Sequence, residues 1–192
     1  MNAIQSKIST ATFLALILGS PIALATPASA DVRIVALGDS GIRGKGVSES
    51  DAYPAQLERA LRARGHKVTV TNEGINGDTT AGVLARIDSA VPSGTDIVVL
   101  KVGINDIVLH HLSQSYVAAN QQEIIRKLRG RGVQVYLIKK MGDGMPPSMH
   151  VEAAPTPGKT EYHLNGAGYA VIVGQTLPAI EAMVRSAEKR HP

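Results

Sequence analysis

Three residue types that acyl transfer requires stand far apart in this chain: Ser40, Asn105 and His163. A hydroxyl attacks a carbonyl usefully only when a base takes its proton, so Ser40 reads as the nucleophile and His163 as the base. The charge that then develops on the carbonyl oxygen needs N–H donors. The backbone N–H of Ser40, the backbone N–H of Gly77 and the side-chain amide of Asn105 are the candidates for such an oxyanion hole. Each donor of this kind lowers a barrier by about 3–4 kcal/mol. Taken singly the signals are weak. Gly38-Asp39-Ser40 is more often an ordinary turn, an Asn before an Asp is more often a loop cap, and one His among six is more often on the surface.

The elements that must position these residues alternate between two periods. Residues 32–37 are β-branched and apolar and read as a buried strand, with Gly38-Asp39 as its sharp exit. A helix is expected over residues 53–64, with Leu57, Ala60 and Leu61 at helical spacing, then a short strand over 67–72. Asp78 or Thr79 should cap a helix carrying Val83, Leu84 and Ile87. Residues 96–102 form an almost wholly apolar third strand, as expected when both faces are covered. A long helix over 114–130, a strand over 133–138 and a terminal helix over 166–189, kinked or restarted at Pro178, complete the pattern. Repeating βα units predict a parallel sheet with helices on both faces and right-handed crossovers. Residues 139–162, rich in Gly, Pro and Met, show no period and read as a flexible loop or lid running into His163.

The combination of blocks is more specific than its parts, and it resembles the SGNH (GDSL-type) hydrolase family. The likeness is nearest to the exported acyl-CoA thioesterase I / lysophospholipase / arylesterase branch. Gly38-Asp39-Ser40 matches the nucleophile block, and the run from Asn72 to Thr80 matches the second block, in which Gly77 takes the oxyanion role. Gly103-Ile104-Asn105-Asp106 matches the third block, and the run from His163 to Tyr169 the histidine block. Tyr53-Pro54 and Leu57 fall where the family has an aromatic-Pro pair and a Leu. The resemblance implies a flavodoxin-like three-layer α/β/α sandwich with a parallel sheet of four to five strands. It also implies ester or thioester hydrolysis through an acyl-Ser40 intermediate, without metal or cofactor, on a small acyl-ester or lipid substrate. Carbohydrate O-deacetylation, which some relatives perform, is an alternative.

Three positions depart from the family pattern. Gly41 stands where a Leu is usual, and Ile104 where a Gly is usual. Thr160 stands where the family has the acid of its Asp-x-x-His block. A triad acid holds the imidazole in the right tautomer, and its loss can cost on the order of ten-thousand-fold in turnover. Glu161 is the substitute acid we name first, at a different offset from His163, with Asp143 and Glu152 behind it. A backbone carbonyl could serve instead, and a catalytically weak binding protein is then the runner-up reading. The segment from Asn105 to His163 is also short for this branch, as though a strand–helix unit were missing.

Composition narrows the setting. Residues 1–30 carry Lys7 as their single charge, an apolar run and an Ala28-Ser29-Ala30 cleavage site, which together predict a secretory signal peptide. Export to the periplasm or medium is expected, leaving residues 31–192 as a single domain with no further membrane span, and a monomer is expected. The formal net charge is +4, reduced by one when Lys7 is removed, and the excess is scattered over helix faces. With one Phe, five Tyr and no Trp there is no basic, aromatic groove for nucleic acid, although weak attraction to anionic surfaces remains open. No cysteine is present, so disulfides, thiol catalysis and thiolate metal sites are excluded. His110-His111 has no evident carboxylate partner and reads as a non-metal pair. Asp39 and Asp106 read as residues that fix loop geometry, and Arg43 and Lys45 as solvated loop charges.

Overall fold

Strand β1 (Val32–Gly38) lies between parallel neighbours β2 (Val68–Gly74) and β3 (Ile97–Lys101), and β3 pairs in turn with β4 (Gln134–Leu137). The computed structural model describes residues 31–156 and 159–190, so the expected signal peptide over 1–30 lies outside the described residues. The strand order β2-β1-β3-β4 is that of a flavodoxin-like sheet, in agreement with the fold expected from the sequence. Successive strands are added on one side of β1 for β2 and on the other for β3, all of them parallel. Gly38 is in register with Gly74 on one side and Lys101 on the other, so three strand ends meet where Ser40 follows.

Period-two alternation in the central strands feeds two cores. Ile34 and Ala36 of β1 and Ile97 and Val99 of β3 pack under α2 (Tyr53–Ala63) and α6 (Gly166–Glu188) through Leu57, Leu61, Tyr169, Ile172 and Ile180. Val35, Leu37, Val98 and Leu100 face α3 (Thr80–Ala90) and α5 (Gln114–Gly130) through Val83, Ile87, Ile124 and Leu128. Each fully buried side chain of this size contributes about 1.5–3 kcal/mol relative to exposure. These are the three expected layers.

Three expectations are corrected and one choice between two caps is decided. The segment over 139–162 is not wholly irregular: β5 (His150–Thr156) and β6 (Lys159–Leu164) form an antiparallel pair beside the main sheet. Of the two candidate caps, Thr79 caps α3, its Oγ1 accepting from the Gly82 N–H at 3.1 Å. α6 runs unbroken from Gly166 to Glu188 with Pro178 inside it. It is also long and apolar enough to cross a membrane by length and composition, contrary to the expectation of no such segment after residue 30. Half of its apolar window is buried within the fold, where it packs on α2 and the sheet.

Candidate active site

Ser40 opens α1 (Ser40–Arg43) directly after the end of β1. The turn needs Gly38, because a Cβ there would lie 1.8 Å from the Lys101 carbonyl oxygen. Asp39 caps α1, accepting from the Gly41 N–H at 2.9 Å, and it is fully buried. Its two carboxylate oxygens accept from Lys101 Nζ at 2.8 and 2.9 Å. A buried carboxylate is tolerated when it is paired and hydrogen-bonded in this way. Asp39 therefore fixes the loop beneath Ser40, as its sequence context suggests.

The loop after β2 carries Gly77 in the left-handed region at φ 78°, a conformation that favours glycine. Arg86 of α3 holds this loop against the end of β1. Its guanidinium donates to the carbonyls of Gly38 and Glu73 at 3.2 and 2.9 Å and to Asp78 Oδ2 at 2.7 Å. Asp78 is thus an anchor for Arg86 rather than a helix cap. The amide of Asn105, in α4 (Ile104–Val108), donates to the Asp78 carbonyl at 2.8 Å. Next to it Asp106 is fully buried and accepts from the Thr80 N–H at 2.9 Å and the Thr80 hydroxyl at 2.6 Å.

His163 sits in β6 opposite Val151 of β5, two residues before Asn165, whose side chain caps α6 by accepting from the Gly168 N–H at 3.0 Å. Its Nε2 lies 2.8 Å from Ser40 Oγ. Residues 123 positions apart in sequence are therefore in hydrogen-bond contact. Ser40, Gly77, Asn105 and His163 all line one cavity of about 490 Å³, a size suited to a small organic ligand.

The acid is less fully placed. Glu161 lies in β6 opposite Ala153, and its side chain is outside the described residues, as is that of Thr160. Asp143 lines the cavity with its carboxylate 3.7 Å from Lys140 Nζ, whereas Glu152 is exposed on β5 opposite Tyr162. His110 and His111 follow α4 rather than lying on it, and both are exposed. Among the described residues no group of three His, Cys, Asp or Glu could hold a metal ion.

Sequence reasoning missed two contributors. Lys101 has a signal in retrospect, as the one charge ending an apolar strand. Met141 has none. A Cβ on Gly41 would lie 3.0 Å from the Met141 sulfur and 3.3 Å from Lys101 Cε, so these two side chains occupy the space beside position 41. The site also contains Tyr169, fully buried, whose hydroxyl has no hydrogen-bond partner among the described residues. Burial, and secondarily the Asp39 carboxylate, pushes its pKa upward.

Ser40, Gly77, Asn105 and His163 thus meet at the carboxyl edge of a flavodoxin-like sheet. Residues 36–156 match the model of the GDSL-like Lipase/Acylhydrolase family, and the chain belongs to that family. It is 31% identical over 117 residues to an arylesterase of Vibrio mimicus, and 31% identical over 128 residues to the esterase TesA of Pseudomonas aeruginosa. These alignments take in 60% and 66% of this chain, and the chain spans 58% and 62% of the relatives' lengths. Among solved structures it is similar to AlinE4, an SGNH-hydrolase family esterase, with 34% identity, a TM-score of 0.53 and 62% of each chain covered. An acetyl xylan esterase, AlAXEase, shares the fold at 18% identity and a TM-score of 0.59, covering 78% of this chain and 100% of that one.

Proposed function

We propose that this protein is a serine ester hydrolase that cleaves acyl esters through an acyl-Ser40 intermediate. The observation that carries the reading is the 2.8 Å contact between Ser40 Oγ and His163 Nε2 inside the cavity shared with Gly77 and Asn105. In the tautomer with Nε2 unprotonated, His163 takes the hydroxyl proton as Oγ attacks the carbonyl carbon. The Ser40 and Gly77 N–H groups and the Asn105 amide then hold the oxyanion. An amide nitrogen has two hydrogens; one of Asn105's goes to the Asp78 carbonyl, and the other serves the oxyanion. Collapse expels the alkoxide or thiolate, which takes its proton from His163. Water, deprotonated by the same imidazole, then releases the acid and regenerates Ser40.

Glu161 is the carboxylate we assign to orient His163. On this reading Glu161→Gln lowers kcat by on the order of ten-thousand-fold, the cost of the wrong tautomer. An unchanged kcat would assign the orienting role to another group. Ile104, Val108 and Leu109 form an apolar wall of the cavity, which supports a lipid or aryl acyl ester over an acetylated glycan. Fatty-acid release from a lysophospholipid or an acyl-CoA, set against acetate release from an acetylated xylan, separates these substrates. Residues 1–30 are assigned to export and the remainder to one monomeric catalytic domain. The direct test of the mechanism is p-nitrophenyl butyrate turnover. Ser40→Ala should abolish it; turnover equal to wild type would exclude the acyl-Ser40 route.

A further inference from the structure

The exposed large apolar side chains are not scattered over the surface. Among the described residues six of the eight fall between Ile104 and Tyr116, and a seventh, Tyr162, lines the Ser40 cavity. The ten residues 107–116, from the end of α4 through the loop into the first turn of α5, are all exposed and include Ile107, Val108, Leu109, Leu112 and Tyr116. Runs of exposed apolar residues of this kind are disfavoured in a soluble surface unless they serve a function. The cavity accounts for only some of them. Val108 and Leu109 line it with Ile104, whereas Ile107, Leu112 and Tyr116 do not.

We propose that this segment docks the protein onto an anionic phospholipid surface, with the mouth of the Ser40 cavity facing the bilayer. Three observations favour a bilayer as the occupant. First, residues 107–122 contain no Asp, Glu, Lys or Arg, so no charge must be desolvated as the segment enters the headgroup layer. Second, the backbone turns inward on itself. The N–H groups of Leu109 and His110 donate to the Asn105 carbonyl at 2.9 and 3.2 Å, and that of Leu112 to the Asp106 carbonyl at 2.9 Å. Amides satisfied in this way can leave bulk water at little cost. Third, Tyr116 and Tyr162 are 41% and 67% exposed, and such amphipathic rings favour the membrane–water boundary.

Charge and continuity specify the surface further. Asp143 is the one carboxylate lining the cavity among the described residues, and the Lys101 charge there is already matched by Asp39. The chain as a whole is net positive, which attracts it to anionic lipid. Because Ile104, Val108 and Leu109 belong both to the exposed segment and to the cavity wall, an acyl chain can pass from the bilayer toward Ser40 without crossing water. That last step rests on the hydrolase reading; the docking does not.

The test compares wild type with the triple variant Ile107→Ser, Leu112→Ser, Tyr116→Ser. Both are taken from the same soluble fraction, with the N-terminus read by mass spectrometry so that residues 1–30 contribute equally or not at all. Flotation is measured with phosphatidylcholine vesicles with and without phosphatidylglycerol, alongside p-nitrophenyl butyrate turnover, thermal melting and size-exclusion elution. Wild type should float with the anionic vesicles, and the variant should lose about tenfold or more in partitioning, the scale expected when large apolar groups are withdrawn from the acyl boundary. Melting and soluble-ester turnover should match. Failure of wild type to float, or equal flotation of the variant, would overturn the proposal. So would a wild-type dimer that the variant dissolves, with no vesicle binding, because the face would then pair two copies of the chain. Flotation without turnover of any ester would leave docking standing and remove the hydrolase reading instead.

Discussion

At the scale of single residues, Ser40 rests on a charge pair that the sequence hides. Lys101 neutralises the fully buried Asp39, and Asp39 holds the first turn of α1. Lys101→Met should therefore destabilise the protein by about 3–5 kcal/mol, the usual result of leaving one buried charge unpaired. Chemical denaturation measures it, and a loss below 1 kcal/mol would show that Asp39 does not depend on Lys101. Position 41 offers a sharper test of packing. A leucine there meets the Met141 sulfur and Lys101 Cε, and overpacking of this kind costs about 1–3 kcal/mol. Adding Met141→Ala to Gly41→Leu should recover most of that loss; no recovery would mean that Met141 is not what fills the space.

At the scale of elements, the loops of the site are held by polar contacts between neighbouring units. Asp106 ties α4 to the start of α3 through both the N–H and the hydroxyl of Thr80. Asp106→Ala leaves those two donors without their acceptor and should cost about 3 kcal/mol. That is roughly a 10 °C fall in Tm for a protein of this size; an unchanged Tm would contradict the anchoring role. The same elements show what is legible in sequence. β1 and β3 were readable because strands covered on both faces are continuous apolar runs, and α2 and α5 because one face repeats at helical spacing. β5 and β6 were not, since Pro, Gly and Met punctuate that stretch and its pairing is local to the edge of the site. Ser40, Gly77, Asn105 and His163 could be chosen by residue type and motif, but their convergence depends on strand order. Lys101 was hidden because its partner lies 62 residues away. Asp78 and Thr79 are not separable as caps from sequence, because Asp78's partner, Arg86, lies eight residues on.

At the scale of the whole molecule, the terminal helix is clamped to the far edge of the fold by a charged cluster. His66, at the entry to β2, places Nδ1 2.8 Å from Glu188 Oε1 and Nε2 3.2 Å from Glu181 Oε1. Glu181 also receives Arg64 and Arg185. Burial alone would lower the imidazole pKa, but the hydrogen bonds to Glu188 and Glu181 outweigh it and raise the pKa above its ordinary 6.5. Its stabilising contribution is complete below pH 6.5 and is lost as pH rises through the raised value. Glu181 behaves oppositely. Hydrogen bonds from His66 and Arg64 hold its carboxyl below the ordinary 4.5, so its contribution is present above pH 4.5 and fades as pH falls through the lowered value. Tm should therefore be highest between these limits, and His66→Gln should flatten the alkaline limb. An alkaline limb identical in the variant would remove His66 from the account.

The proposed function rests on Ser40 acting as a nucleophile activated by His163. The most direct measurement is labelling of the purified protein by a fluorophosphonate, wild type beside Ser40→Ala and His163→Ala, with the modified residue located by mass spectrometry. The account predicts one adduct on Ser40 of the wild type, none on Ser40→Ala, and labelling of His163→Ala slower by on the order of a thousandfold or more. A folded wild-type protein that takes no label, or takes it elsewhere than on Ser40, would contradict it.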